Sequence, residues 1–279
     1  MEQEKKHDPL KQFYRAPKLY VQLPSRGKFN VLEGEAMTGE IAVHAMTSKD
    51  ELMMKNPDAL LNGDAVVQAI KSCAPTIKDP KNLPVCDIDQ LLIAIRMATY
   101  GEFMEAKIKS PHGNKRTDTY DVNLNNILEN VKEMSYENIV TLGNGCKVHV
   151  RPFSYELQTR INLAAYDQAT ALKNVKDIDK ESAKQFKSMF TKLADLNTDS
   201  VADSVVKIVT PTGEEVTDKS AIKEFLINVD SADAKAVDKK ITELNTVSTD
   251  VKQEFVCKET EQKFESDVRL DPSDFFVDS

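Results

Sequence analysis

The chain has 279 residues, 41% of them hydrophobic and 29% charged, with a formal net charge of −8. Such a balance predicts ordinary globular protein, neither disordered nor membrane-bound, with length for one large core or two modest ones. No apolar run approaches the roughly 18 residues that span a bilayer, and Met1-Glu-Gln-Glu-Lys-Lys-His-Asp-Pro9 lacks the apolar stretch of a signal peptide, so the expected place of work is a cytosol or a particle assembled there.

Residues 1–18 are polar, with Phe13 and Tyr14 as their aromatic residues; they predict an arm that orders on a partner or not at all. Leu19-Tyr-Val-Gln-Leu23 has the pattern of a strand, and Pro24-Ser-Arg-Gly27 that of a turn in which Gly27 takes a positive φ. A strand over Ile41 to Met46 ends at Thr47, whose hydroxyl can cap a helix while Asp50 reaches back. Pro57 stops that helix, and Asn62-Gly63 ends the next turn. Asp64 opens a helix with Val66, Val67, Ile70 and Cys73 on one face. Asp87 with Gln90 predicts a second capping box, ahead of a helix carrying Ile88, Leu91, Leu92 and Ile95 and ending at Gly101. A hairpin from Glu102 to Leu124 closes this first unit.

The second unit starts over residues 139–172, with Gly143-Asn-Gly145 as a tight turn between strands. Leu157, Ile161, Ala164, Ala165 and Leu172 make one helical stripe, and a further helix carries Ala183, Phe186, Phe190 and Leu193. The strand Val205 to Val209, the turn Pro211-Thr-Gly213 and the helix Ala221 to Val229 look inserted. Ala234, Val237, Ile241 and Leu244 then form a narrow seam that faces a core more readily than a coiled-coil partner. A hairpin from Glu254 to Leu270 closes the chain's second half.

Twice, then, a hairpin pattern runs into a capped helix and a second hairpin closes the unit. An offset of 105 carries Val43-His44 onto Val148-His149 and Glu51-Leu52 onto Glu156-Leu157, and the closing hairpins correspond at an offset of 147, from Ser110 to Cys257. The expected fold class is α+β, an internal duplication of two units in which β-hairpins flank helices. Its parts are a polar arm over 1–18, a first unit over 19–130, a second over 131–270 with an inserted α/β segment near 200–230, and an acidic-aromatic tail over 271–279.

Chemistry is sparse. His44 and His149 fall at equivalent places, but neither has Cys or His at metal spacing, so hydrogen-bonded structural histidines are expected. The Gly143-x-Gly145 pair joins two strands and lacks the third glycine or Gly-Lys-Ser/Thr of a phosphate loop. Paired carboxylates are too abundant to be informative, and no nucleophile has a histidine beside it, so no catalytic residue and no enzyme activity are expected.

The four cysteines, Cys73, Cys86, Cys146 and Cys257, form no C-x-x-C pair, which fits a reducing compartment without disulfides. The closing hairpins have the outline of a zinc ribbon with its ligands degenerated. Two C-x-x-C ends would supply four thiolates, whereas here the tips read Ser110-Pro-His-Gly113 and Cys257-Lys-Glu-Thr260. Ser110, Gly113 and Thr260 cannot replace a thiolate, and His112 with Cys257 leaves two ligands at best, so neither metal nor cofactor is expected. The basic run from Lys109 to Arg116 lies at a hairpin tip where solvation is the simplest role, and the net negative charge argues against a nucleic-acid partner.

Several long strings, in a fixed order, resemble the T4-type bacteriophage baseplate hub subunit family. They are Leu19-Tyr-Val-Gln-Leu-Pro-Ser-Arg-Gly-Lys28, Met46-Thr-Ser-Lys-Asp-Glu-Leu52, Asn56-Pro-Asp-Ala-Leu-Leu-Asn-Gly63, Ile70-Lys-Ser-Cys73, Leu91-Leu-Ile-Ala-Ile-Arg-Met-Ala-Thr-Tyr-Gly101, Val148-His-Val-Arg-Pro152 and Leu270-Asp-Pro-Ser-Asp-Phe-Phe276. The poorest match lies around residues 175–250. The resemblance implies a non-enzymatic part of a contractile-tail baseplate hub, meeting other hub proteins and the tape measure protein in multiple copies within a symmetric assembly. Its place would be the virion tail baseplate, after assembly in the host cytoplasm. Many relatives carry cysteine pairs at the two hairpin tips, and this chain departs from them there. Phe13, Tyr14, Phe275 and Phe276 are the expected partner-binding residues, because exposed aromatic groups favour cover; for Phe275 and Phe276 the alternative is that they fold back onto this chain's own core. Two other functions are open: a transient chaperone of the tape measure protein or hub precursor that leaves before the virion is complete, and a metal-stabilised nucleic-acid-binding module working through Lys109 to Arg116.

Overall fold

The structure, a computed structural model, describes residues 14–29, 40–113, 117–130, 138–174, 198–246 and 251–268. It is α+β, with helices packed against small antiparallel sheets. No helix among the described residues is long and apolar enough to cross a membrane.

Strand β1 (Leu19–Gln22) pairs antiparallel with β2 (Glu40–Val43), Val21 opposite Ile41. The turn after β1 takes its positive φ at Arg26 and Gly27. The capping box that opens α1 (Ser48–Met54) is complete: Asp50 N–H donates to Thr47 Oγ1 at 3.3 Å, and Thr47 N–H donates to Asp50 Oδ2 at 2.8 Å. Asn56 caps α2 (Pro57–Leu61), where Pro57 occupies a first-turn position with no hydrogen bond to lose. Helix α3 (Asp64–Cys73) buries Val66, Val67, Ile70 and Cys73, the face its spacing predicts.

Helix α4 (Val85–Tyr100) is the centre of the molecule. Ile88, Leu91, Leu92, Ile93 and Ile95 are each 1% exposed or less, and polar Asp87, Gln90 and Arg96 are buried as well. A helix apolar on one stripe would show water its other face; this one is covered all round. Each of those aliphatic side chains contributes about 1.5–3 kcal/mol by leaving water. The capping box expected from Asp87 and Gln90 does not form. Pro84 stands at the cap with no side-chain bond, and Asp87 instead accepts from Ser25 across the core, from its N–H at 2.9 Å and from its hydroxyl. Gln90 turns to the Gln22 carbonyl. A buried carboxylate needs donors wherever it finds them, and the turn after β1 supplies two.

The last residues of the arm are tied to this core. Arg15 donates to the carbonyls of Ala45 and Ser72 and to Ser72 Oγ at 2.6 Å, with Asp50 Oδ2 at 3.5 Å. Burial pushes Asp50 up, but bonds from Thr47 and Ser72 and the Arg15 charge hold it below the usual carboxylate value.

Strands β3 (Phe103–Lys109) and β4 (Thr117–Asn123) form the first closing hairpin, followed by α5 (Leu124–Asn130). A four-stranded sheet follows, built from β5 (Ile139–Thr141), β6 (Lys147–Val150), β7 (Val205–Val209) and β8 (Glu215–Val216) in that order. Helix α6 (Tyr155–Asn174) leaves the end of β6. Its predicted stripe is only partly used. Leu157 is buried, Ile161 and Ala164 are half-buried and Ala165 is exposed, because only the first turns meet α4 and the segment before it. There Gly63, at φ +77°, faces α6 so closely that a Cβ would stand 3.0 Å from Thr159 Oγ1 and from a Tyr155 ring carbon. The helix expected around Ala183 to Leu193 lies outside the described residues.

Helices α7 (Lys219–Asn228) and α8 (Ser231–Asn245) cover this sheet. Val237, Ile241 and Leu244 are buried against it, as the seam predicts, together with Val148, Val150, Val205, Ile208, Ile222 and Leu226. At the places related by the offset of 105, β2 is an edge partner of β1 and leads into a helix of 7 residues, while β6 is central in its sheet and leads into one of 20. The second closing hairpin, β9 (Val251–Val256) with β10 (Lys263–Val268), contributes Phe255, Cys257, Phe264 and Val268 to the first core and none to the second. Cys86, at the start of α4, belongs to the second core while the rest of the helix fills the first.

Two measurements test this centre. Ile93→Ala is expected to lower the urea unfolding free energy by about 2–5 kcal/mol, whereas Leu52→Ala, at a side chain 72% exposed, stays within about 0.5 kcal/mol. Burial pushes the Asp87 carboxyl up from 3.8 to about 6, against the two bonds from Ser25. The folded state thus holds that proton more tightly than the unfolded chain. This group's contribution is full below pH 3.8 and is lost as pH rises through about 6, a change of about 3 kcal/mol. Unfolding free energies measured across that window should fall with rising pH less steeply in Asp87→Asn than in the parent.

Candidate functional site

Each closing hairpin ends in the outline of a ligand pair; in the fold those ends meet. Antiparallel pairing brings Lys109 opposite Thr117 and Val256 opposite Lys263, so each hairpin exposes its connecting turn at one end. At the other end Gln253 Nε2 donates to the Asn123 carbonyl at 3.0 Å and ties the hairpin bases together. Between base and tip stands an aromatic cluster. Tyr120 meets Phe255 at 5.4 Å and Phe264 at 5.9 Å edge to face, Phe255 and Phe264 lie 5.9 Å apart, and His112 approaches Phe264 at 6.2 Å. Such pairs each add about 0.5–1.5 kcal/mol beyond simple burial. Lys258 places its ammonium 5.5 Å from the Tyr120 ring, which adds a cation–π contact across the hairpins.

At the tips, three of the four matched positions share hydrogen bonds. Cys257 is 1% exposed, and bonds from the Ser110 and Thr260 side chains bring its thiol down to about 7, against burial. The Cys257 Sγ also lies 4.0 Å from the His112 carbonyl. The fourth position, Gly113, has φ +64° and sits so close to Glu259 that a Cβ would overlap its carboxylate.

This donor set does not fit a zinc ion. A structural zinc site needs four closed ligands of thiolate or imidazole type. Here one thiol faces two hydroxyls and a glycine with no side chain, and among the described residues no three of His, Cys, Asp and Glu come together as a metal cluster. The aromatic cluster and the hydrogen bonds around Cys257 hold the two hairpins together here.

The other sequence candidates stand apart from this place. His44 donates from Nδ1 to the Cys73 carbonyl at 3.0 Å, as a structural histidine does. His149 is half-buried in β6, where burial and then Lys207 and Lys147 lower its pKa. Gly143-Asn-Gly145 is a strand-to-strand turn whose Gly143 N–H is taken by the Asp233 carboxylate at 3.0 Å. Tyr14 is 64% exposed, while Phe13, Phe275 and Phe276 lie outside the described residues, as do residues 114–116 of the basic tip. Sequence inspection passes over Arg15, Ser25 and Arg151, whose polar contacts reach partners 57, 62 and 69 positions away; no local spacing signals such pairs.

Comparison with protein families matches residues 16–277 to the family described as T4 bacteriophage base plate protein, and the chain belongs to that family. Its role is accordingly that of a bacteriophage tail baseplate protein, located in the baseplate and in contact with other baseplate proteins. Comparison with curated proteins and with solved structures returns no match.

If the tips converge as described, restoring thiolates should create a metal site. Ser110→Cys with Thr260→Cys places three thiols around one point, an open site whose fourth position water completes, and the double variant is expected to take up one zinc per chain by elemental analysis while the parent takes up none. A parent and double variant indistinguishable in metal content would contradict the convergence.

Proposed function

We propose that this chain is a structural subunit of the baseplate hub of a contractile phage tail, which acts through protein–protein contacts and performs no catalysis. The observation that carries the reading is the extent of the family match, 16–277. That span takes in both cores and both closing hairpins, so the relationship concerns the whole architecture and not one borrowed motif. A scaffold of this kind needs a rigid shape more than a reactive group. The centrally buried helix α4 and the clamped hairpins supply such a shape, because buried, close-packed elements open only at high free energy.

Its partners are other hub proteins and the tape measure protein, met in multiple copies within a symmetric assembly. It assembles in the host cytoplasm and stays in the tail tip of the virion. Surface side chains such as Tyr20, Leu52 and Ile227, which are 59%, 72% and 61% exposed, are available for modest contacts spread over several faces.

Mass spectrometry of purified particles, with a nonsense mutant in parallel, tests the reading. Recovery of the chain in fixed stoichiometry with other baseplate proteins, and tails without functional baseplates in the mutant, are expected. Absence from finished particles together with failed assembly in the mutant would replace the structural subunit by a transient chaperone. Normal infectious tails in the mutant would end both.

A further inference from the structure

A polar cleft of about 290 Å³ opens where α6 begins, walled in part by Asn82, Arg151, Ser154, Arg160, Asp203 and Ser204. A register shift between His149 and Val150 ends the regular pairing of β6 with β7, and a bulge of this kind re-aims the side chains beyond it. The Arg151 N–H then donates to the Ser204 carbonyl at 2.8 Å, which fixes the two residues side by side.

Both carry donors that nothing among the described residues accepts from. Arg151 spends Nη1 and Nη2 on the side-chain and main-chain oxygens of Asn82, at 2.8 and 2.7 Å, but both are neutral groups. Its Nε is buried and has no hydrogen-bond partner among the described residues. Ser204 is 1% exposed, and its Oγ is equally without a partner. Buried donors left unmatched cost about 1–3 kcal/mol each, and here both belong to residues that line one cleft, a poor arrangement unless something enters it.

The charges around the cleft say what that is. Arg151 meets no carboxylate among the described residues; burial alone pulls its pKa below the usual arginine value. Helix α6, 20 residues long, starts here with Ser154 Oγ accepting from the Leu157 N–H at 3.2 Å, so the positive end of its dipole faces the same space. Behind the wall, the Lys219 ammonium is held by the carbonyls of Ala202, Asp203 and Val205. The opposing charges are Asp203, which stands 3.4 Å from Arg160, and Glu156, which is exposed and also lines the cleft. Arg160 and Asp203 offset each other, Glu156 faces solvent, and the inner wall is left cationic.

We propose that this cleft is an oxyanion site, in which the Arg151 and Ser204 side chains turn toward the cleft so that Nε–H and Oγ–H donate to one small carboxylate or phosphate group at the N-terminus of α6. The ligand chemistry is an anion with at least two acceptor oxygens. Its source is either free phosphate or an acidic side chain of another protein segment. The inference stands on the cleft alone and does not require the hub assignment.

The test is a titration of the full chain, labelled with ¹⁵N, with inorganic phosphate and separately with N-acetylaspartate amide, ionic strength being held with chloride. A saturable shift of the Arg151 Nε–Hε signal is expected. Ser204→Ala should weaken the affinity about fivefold without lowering the thermal midpoint of the free protein, because it removes a hydroxyl that has no partner there. Arg151→Lys keeps the charge and loses the Nε–H, and should weaken binding more than tenfold. Saturation by phosphate alone assigns the site to free phosphate, and saturation by the aspartate amide assigns it to a protein carboxylate. No saturable shift with either probe, or equal affinity in the parent and Ser204→Ala, overturns the proposal and leaves a water-filled cleft.

Discussion

The burial of α4 on every side is the constraint from which the remaining architecture follows. A helix with Ile88, Leu91, Leu92, Ile93 and Ile95 all hidden cannot lie on a surface, so strands, helices and hairpins have to be recruited around it. β1 and β2 cover it, as do α3, α5 and the start of α6. Its first turn reaches into the second core through Cys86. Its polar residues accept the same condition. Asp87, with no water available, takes both donors of Ser25 and so fastens the turn after β1 to the helix start. One element thereby couples two cores, beside the bonds from Arg151 to Asn82 and from the Tyr155 N–H to the Leu83 carbonyl.

The closing hairpins solve a different problem, that of holding two narrow ribbons together. An isolated two-stranded hairpin is marginal in water, and a shared metal is one way to staple a pair. In this chain the hairpin tips hold Ser110, Gly113 and Thr260 around a single thiol, Cys257. Tyr120, Phe255 and Phe264 provide packing in exchange, with Gln253 fixing the far end. Because the second hairpin packs on the first, residues more than a hundred positions apart complete one core. That contact closes the chain on itself, as suits a part that must keep its outline inside an assembly.

Polar groups mark the places where this architecture leaves something unfinished. Arg15 finds a full set of partners near α1 and α3, and Asp50 is held ionised there. At the start of α6 the same residue type, Arg151, has two neutral partners and one unmatched N–H beside the unmatched hydroxyl of Ser204. The two arginines differ less in exposure than in what surrounds them. One completes a network internal to the chain, and the other faces a cleft with room for a guest.

By itself the sequence determined the local structure: the Thr47–Asp50 box, the positive-φ turn at Gly27, the buried faces of α3 and α8, and both closing hairpins. Those depend on spacing and on side chains bonding to backbone a few residues away, and spacing is visible in one dimension. The family resemblance was equally legible, since long strings in a fixed order survive without coordinates. Tertiary structure alone decided that Asp87 serves Ser25 and not its own helix end, that Leu157 is buried and Ala165 exposed in the α6 stripe, and that Ser110, Cys257 and Thr260 share one spot. It also decided that Arg151 and Ser204 lie side by side. Each of these turns on which distant group happens to be nearest in space, and a carboxylate or a guanidinium bonds to what is near, whatever its position along the chain.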